Sequence, residues 1–177
     1  MIRQLAEAAE RQVQEMLDLL RAMVEIESPS DHKAAVDRCV AFVAERCSTL
    51  SGRVRLHRQK EFGDLLEAHF GPQKSSRKPV LLLGHLDTVW PLGSLKGMPF
   101  RVAGGRVWGP GVLDMKAGVA MALAAIAILQ EQRKLTRPVV MLLNSDEEVG
   151  SNVSRPLTEK LSRQCEAVYV LEPAQGL

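Results

Sequence analysis

Three apolar runs in this 177-residue chain each end in groups able to bind a metal or move a proton. Val80 to Gly84 runs into His85-Leu86-Asp87-Thr88, Val139 to Leu143 into Asn144-Ser145-Asp146-Glu147-Glu148, and Ala167 to Leu171 into Glu172-Pro173. A glycine-rich turn, Gly109-Pro110-Gly111-Val112-Leu113, delivers a further acid, Asp114, to the start of a long apolar stretch. Ligands of open α/β sheets bind in the crevice outside the carboxyl ends of the strands, so three parallel strands would aim a histidine and several carboxylates into one crevice. Crowded carboxylates raise one another's pKa unless a cation compensates, and a divalent metal is the simplest compensator. Imidazole with carboxylate oxygen suits zinc, with manganese or cobalt as lesser options. The two-residue step from His85 to Asp87 puts both side chains on one side of an extended segment, where Asp87 could accept the second ring N–H of His85. Glu147 and Glu148 are adjacent and point different ways, which suits one to ligate and the other to stay free as a base.

Taken singly, these residues have plainer explanations. A histidine after a strand is usually structural, Asp87, Asp114 or Glu172 could cap a helix or turn, and Asp146-Glu147-Glu148 could be a solvated acidic helix start. Their joint placement after buried strands or a glycine turn is what points to a site. Other chemistries lack their signatures: there is no G-x-x-x-x-G-K-[ST], no G-x-G-x-x-G and no G-x-S-x-G. Gly104-Gly105 and Gly109-Pro110-Gly111 predict a hairpin or a turn that shapes the site.

The elements that must position these groups follow from periodicity. Ile2, Leu5, Val13, Met16, Leu17, Leu20 and Val24 predict an amphipathic helix ending at Ser28-Pro29-Ser30. A second helix is expected from a cap at Ser30 or Asp31 to about Leu50, with Ala35, Cys39, Val40, Val43 and Cys47 on its apolar stripe. Residues 53–57 and 65–70 predict short, partly exposed strands, and the three apolar runs predict strands covered on both faces. Helices are expected over 115–134 and 155–163. The fold class is therefore α/β, a mostly parallel sheet flanked by helices, as one domain.

Composition narrows the partners. Lys and Arg total 23 against 21 Asp and Glu, with seven aromatic residues (4 Phe, 2 Trp, 1 Tyr), so neither a phosphate-binding surface nor a base-stacking platform is indicated. Ala117 to Leu129 is shorter than the ~20 residues that cross a bilayer and predicts a buried helix, so no membrane partner is expected. The N-terminal stretch carries acids throughout and lacks a signal-peptide pattern, which places the protein in the cytoplasm. Cys39, Cys47 and Cys165 have no C-x-x-C spacing and are expected as reduced thiols.

Leu83-Gly84-His85-Leu86-Asp87-Thr88-Val89, Gly109-Pro110-Gly111-Val112-Leu113-Asp114-Met115-Lys116, Ser145-Asp146-Glu147-Glu148-Val149-Gly150-Ser151 and Leu171-Glu172-Pro173 resemble, in order and spacing, the signatures of a di-zinc exopeptidase family. Its members include glutamate carboxypeptidase, acetylornithine deacetylase and succinyl-diaminopimelate desuccinylase, and Met98 to Val107 most resembles the glutamate carboxypeptidase branch. The resemblance implies a phosphorylase/hydrolase-like zinc peptidase catalytic domain. It implies that His85 and Glu172 hold one zinc, that Glu148 helps hold the other, that Asp114 bridges the two and that Asp87 orients His85. Glu147 matches the general base, which takes a proton from water and returns it to the leaving amine. A cis peptide at Asp114-Met115 is also implied.

Family members continue past the Glu-Pro motif into a lid or dimerisation domain, then return to complete the catalytic domain and supply a last histidine ligand. Residues 1–177 are thus expected to be the N-terminal portion of that catalytic domain, incomplete at the C-terminus. His32, His57 and His69 precede the first motif and match no family ligand. The expected activity is zinc-dependent hydrolysis of an amide or peptide bond in a small acyl-amino acid or peptide. The alternative is a catalytically incomplete metal-binding fragment or scaffold. Sheet surface left exposed would favour homo-oligomers.

Overall fold

A computed structural model describes residues 2–174. Five strands form one sheet: β1 (Arg53–His57), β2 (Leu65–Phe70), β3 (Val80–His85), β6 (Val139–Asn144) and β7 (Ala167–Val170), in the order β1-β2-β6-β3-β7. A separate hairpin pairs β4 (Arg101–Ala103) with β5 (Arg106–Trp108) across Gly104 and Gly105, where the sequence predicts a hairpin or a turn; their φ values of 57° and 71° are left-handed. The core of the sheet is parallel, β6 with β3 and β3 with β7, whereas β1 and β2 add antiparallel pairs at one side. The sheet is thus mixed around a parallel centre.

The helices are α1 (Ile2–Arg11), α2 (Val13–Glu25), α3 (Lys33–Thr49), α4 (Ala117–Glu131) and α5 (Arg155–Gln164). The single N-terminal helix predicted from periodicity is two, divided at Gln12. α3 starts later than predicted. His32 is its cap, with Nδ1 accepting the Ala35 amide at 3.2 Å, and Ser30 is engaged elsewhere. Helix α4 is also shorter than expected: residues 112–116 turn irregularly before it, and it ends at Glu131, three residues early.

Strand alternation divides the core in two. Val80, Leu82, Val139, Met141, Leu143, Leu66, Ala68 and Phe70 face one side, against α2, α3 and α4. Leu81, Leu83, Val140 and Leu142 face the other, covered by Leu157 and Leu161 of α5. β6, central and covered on both faces, is buried throughout, and β2 is more buried than its sequence suggests because β1 and β6 flank it. β7 departs the other way: although apolar, it is the edge strand, and Val168, Tyr169 and Val170 are exposed.

The β1–β2 side is tied by charge. Glu67 is buried and receives Nε2 of His57 at 2.6 Å and of His69 at 2.5 Å. Asp64, also buried, receives Lys33 Nζ at 3.1 Å, Arg58 Nη1 at 2.5 Å and the Gln59 amide at 2.9 Å. Burial works to raise both carboxyl pKa values, but these donors outweigh it and hold both below their ordinary values of 4.5 and 3.8. A lowered folded-state pKa stabilises at neutral pH, and that contribution is lost as pH falls below the ordinary value and through the folded one. Glu67→Gln is expected to lower the thermal midpoint at pH 7 by about 3–8 °C and to flatten the loss of stability below about pH 4.5. Thermal unfolding across acid pH checks both.

Candidate metal centre

Strand register brings the site together. Val80 lies beside Val139 on one side and Ala167 on the other, so β3, β6 and β7 run level from their first residues. At the far end His85 pairs with Asn144, and the Leu83–Val170 pairing carried two residues further sets Glu172 beside His85. His85 is 1% exposed, with Nε2 facing the crevice. That nitrogen stands 3.1 Å from Asp114 Oδ1, 3.2 Å from Glu172 Oε1 and 3.8 Å from Glu147 Oε2. Among the described residues, two overlapping sets of ligand atoms result, His85 with Asp114 and Glu148, and His85 with Glu147 and Glu172, each within 4.8 Å. The adjacent glutamates fall in different sets, whereas the sequence leads one to expect one of them to ligate and the other to stay free as a base.

Asp114 reaches the crevice through a turn built by glycine. Gly111 has a φ of 68°, and a Cβ there would strike Thr88 Cγ2. Val112 N bonds Gly109 O and Lys116 N bonds Gly111 O. The Asp114–Met115 peptide is cis, and Met115 Sδ accepts the His85 amide at 3.3 Å. Glu172 is set by another glycine: a Cβ on Gly118, in the first turn of α4, would run into the carbonyl oxygen of Leu171. Only a residue without a side chain lets α4 approach β7 this closely.

Asp87 holds the rest. It is 1% exposed. His85 Nδ1 meets its backbone oxygen at 2.9 Å and its Oδ1 at 3.4 Å, so the carbonyl is the closer partner of the ring. The carboxylate accepts the Glu147 amide at 3.3 Å on Oδ1, and the Glu148 amide at 3.2 Å and Ser30 Oγ at 2.7 Å on Oδ2. Burial pushes its pKa up, but His85 and Ser30 outweigh burial and hold it below the ordinary value. Asp146, fully buried, folds the following loop by accepting the Val153 and Ser154 amides at 2.7 and 3.1 Å.

The electrostatics call for a cation. Burial raises the Glu148 pKa, and Asp114 raises it further. Burial likewise raises that of Glu172; His85 opposes, while Asp114 and Glu147 add to the rise. Burial works against a charged His85, yet Asp87 and Glu172 dominate and push its pKa up to about 9. One imidazole facing four carboxylates is a donor set of nitrogen and oxygen with surplus negative charge, which fits a divalent ion such as zinc.

The structure brings His85, Asp87, Asp114, Glu147, Glu148 and Glu172 into one crevice. It leaves His32 at the start of α3 and His57 and His69 on Glu67. Sequence reasoning missed Glu27, whose carboxylate accepts the Gly93 and Leu95 amides at 2.7 and 3.0 Å. It also missed Lys116, 1% exposed, whose Nζ donates to the Met23 and Ile26 carbonyls at the end of α2 at 2.9 and 3.0 Å. Burial lowers the Lys116 pKa. No periodicity announces these two; only the position of Lys116 two residues from Asp114 offered a signal.

A parallel-centred sheet with helices on both faces and a nitrogen and carboxylate cluster at its strand ends is the frame of a metallopeptidase catalytic domain. Residues 81–176 match the peptidase family M20/M25/M40, and the chain belongs to that family. It is similar to carboxypeptidase G2 of Pseudomonas sp. (strain RS-16), 37% identical over 100 residues covering 56% of this chain and 24% of that protein. It is also similar to succinyl-diaminopimelate desuccinylase of Gluconobacter oxydans, 37% identical over 86 residues, 47% of this chain and 23% of the relative. The fold matches human carnosine dipeptidase 1 with a TM-score of 0.82 and 19% identity, over 96% of this chain and 41% of the other. The matched spans thus cover about a quarter of these curated relatives and two fifths of the solved structure.

The close approach at Gly118 makes a discriminating substitution. Helix propensity alone favours Gly118→Ala by about 1 kcal/mol, whereas the Leu171 carbonyl opposes it. The expected outcome is a loss of about 1–3 kcal/mol in urea unfolding, with weaker metal retention through displaced Glu172.

Proposed function

We propose that these residues form the N-terminal part of the catalytic domain of a zinc-dependent hydrolase acting on an amide or peptide bond, of the carboxypeptidase or N-acyl-amino-acid deacylase type. The observation that carries this reading is the convergence of His85, Asp114, Glu147, Glu148 and Glu172 at the strand ends of a chain belonging to a peptidase family. His85 and Glu172 would hold one zinc and Glu148 another, with Asp114 between them. Asp114 stands against His85 on one side and shares a ligand set with Glu148 on the other, which supports that bridging place. When bound, a divalent metal supplies Lewis acidity, which polarises a carbonyl and makes water acidic enough to react near neutral pH.

The chain's own residues account for the proton. Glu147 is half exposed at the mouth of the crevice, its backbone fixed by Asp87. Its carboxylate takes a proton from water as the water oxygen bonds to the carbonyl carbon. The same carboxyl returns the proton to the amine nitrogen as the carbon–nitrogen bond breaks. Asp87 stays charged and orients His85. The substrate class is a small acyl-amino acid or peptide, by analogy with what the relatives' names state. A cytoplasmic location is supported by three free cysteines, two of them buried.

A second reading, a metal-binding protein without turnover, is favoured by one observation. His32, His57 and His69 are all engaged away from the cluster, so the Glu148 side has no imidazole of its own in this chain beyond His85. Zinc per chain by elemental analysis, before and after zinc is supplied, tests the site. About one or two ions are expected, and none in either sample overturns the reading. In the full-length protein, Glu147→Gln is expected to lower turnover about 100-fold or more with zinc content unchanged; loss of zinc instead would remove the base assignment. The exposed apolar edge of β7 supports self-association, expected as a mass that rises with concentration in sedimentation. A monomer throughout would count against it.

A further inference from the structure

The segment after α2 reaches the organising carboxylate of the cluster. Pro29 forms a parallel bridge with Thr88, the Thr88 amide donates to Ser28 O at 2.9 Å, and the Ser30 amide donates to Thr88 O at 3.2 Å. Two buried hydroxyls leave this segment for different partners. Ser28 Oγ donates to the Leu86 carbonyl at 2.7 Å, while Ser30 Oγ donates to Asp87 Oδ2, also at 2.7 Å. Ser28 and Ser30 are 0% and 6% exposed, so water does not readily substitute for either.

The difference matters because the terminal torsion of an aspartate is broad and does not by itself fix the carboxylate plane. A hydroxyl donating to a charged oxygen is among the stronger hydrogen bonds. At Asp87 that bond is shorter than the contacts the same carboxylate makes with the Glu147 and Glu148 amides, at 3.3 and 3.2 Å. Turning the plane would release both amides together. We infer that Ser30 is a positioning residue: its hydroxyl locks the Asp87 carboxylate and thereby sets the backbone from which Glu147 and Glu148 enter the crevice. The consequence for metal binding rests on the reading of the cluster given above, while the geometry stands without it.

The test compares Ser30→Ala, Ser30→Thr and Ser28→Ala. Amide hydrogen exchange on the metal-free chain reads the loop directly, and competition with a chromophoric chelator reads zinc affinity. Ser30→Ala is expected to speed exchange of the Glu147 and Glu148 amides about ten-fold with β6 unchanged, and to weaken zinc binding about ten-fold or more. Ser30→Thr, which keeps the hydroxyl, is expected to retain both properties. Ser28→Ala is expected to lower the thermal midpoint without loosening those two amides. Unchanged protection in Ser30→Ala, or equal loss in Ser28→Ala or Ser30→Thr, overturns the inference. Absence of zinc binding by the wild type would instead remove the metal reading, and the exchange comparison would still decide the role of Ser30.

Discussion

A carboxylate taken out of water must find donors or cost several kcal/mol, and Asp87, 1% exposed, sits under that constraint just beyond the end of β3. Its donors come from three parts of the chain: the hydroxyl of Ser30, the ring of His85, and the amides of Glu147 and Glu148. Satisfying one buried charge therefore draws together the segment after α2, the end of β3 and the loop after β6. The crevice exists because these three converge, and its exposed carboxylates are carried on backbone that a buried one holds.

The same segment after α2 joins the other side of the crevice. Lys116 supplies donors to the Met23 and Ile26 carbonyls, which the end of α2 would otherwise leave without partners. Glu27 takes the amides of the loop at Gly93 and Leu95. Residues 23–30 are thus bonded to the loops that follow β3 and precede α4, although they contribute no group to the cluster itself. The close approach of α4 to Leu171 through Gly118 completes the wall that carries Glu172.

Charge is distributed with a purpose that differs between the two ends of the sheet. At Glu67 and Asp64 each buried carboxylate meets bases of its own, and the pairs are closed. In the crevice the acids outnumber the bases, Glu148 and Glu172 are pushed up by burial and by neighbouring acids, and the balance is left open for a cation. That contrast separates a structural ion-pair cluster from a binding site among residues of the same types.

Chemistry-bearing groups were legible in the sequence because each follows an apolar run or a glycine turn, and apolar runs of about four to six residues bounded by turn residues read as strands. The α/β class, β3, β6 and β7 with their parallel order, a hairpin or turn at Gly104-Gly105 and the five residues of the two ligand sets follow from that local logic. What depends on neighbours did not follow. The apolar composition of β7 predicts burial, but exposure is set by its place at the sheet edge. Ser30 has the chemistry of a helix cap, yet packing gives the cap to His32 and the hydroxyl to Asp87. Periodicity reports which face of an element is apolar; it carries no information on which distant carbonyl a buried lysine will reach. Local pattern determined the strands, the residues at their ends and the pairing of His85 with Asp87, and only the tertiary structure decided the distant partners of Asp87, Lys116 and Glu27, because those bonds span 57 to 93 positions in the chain.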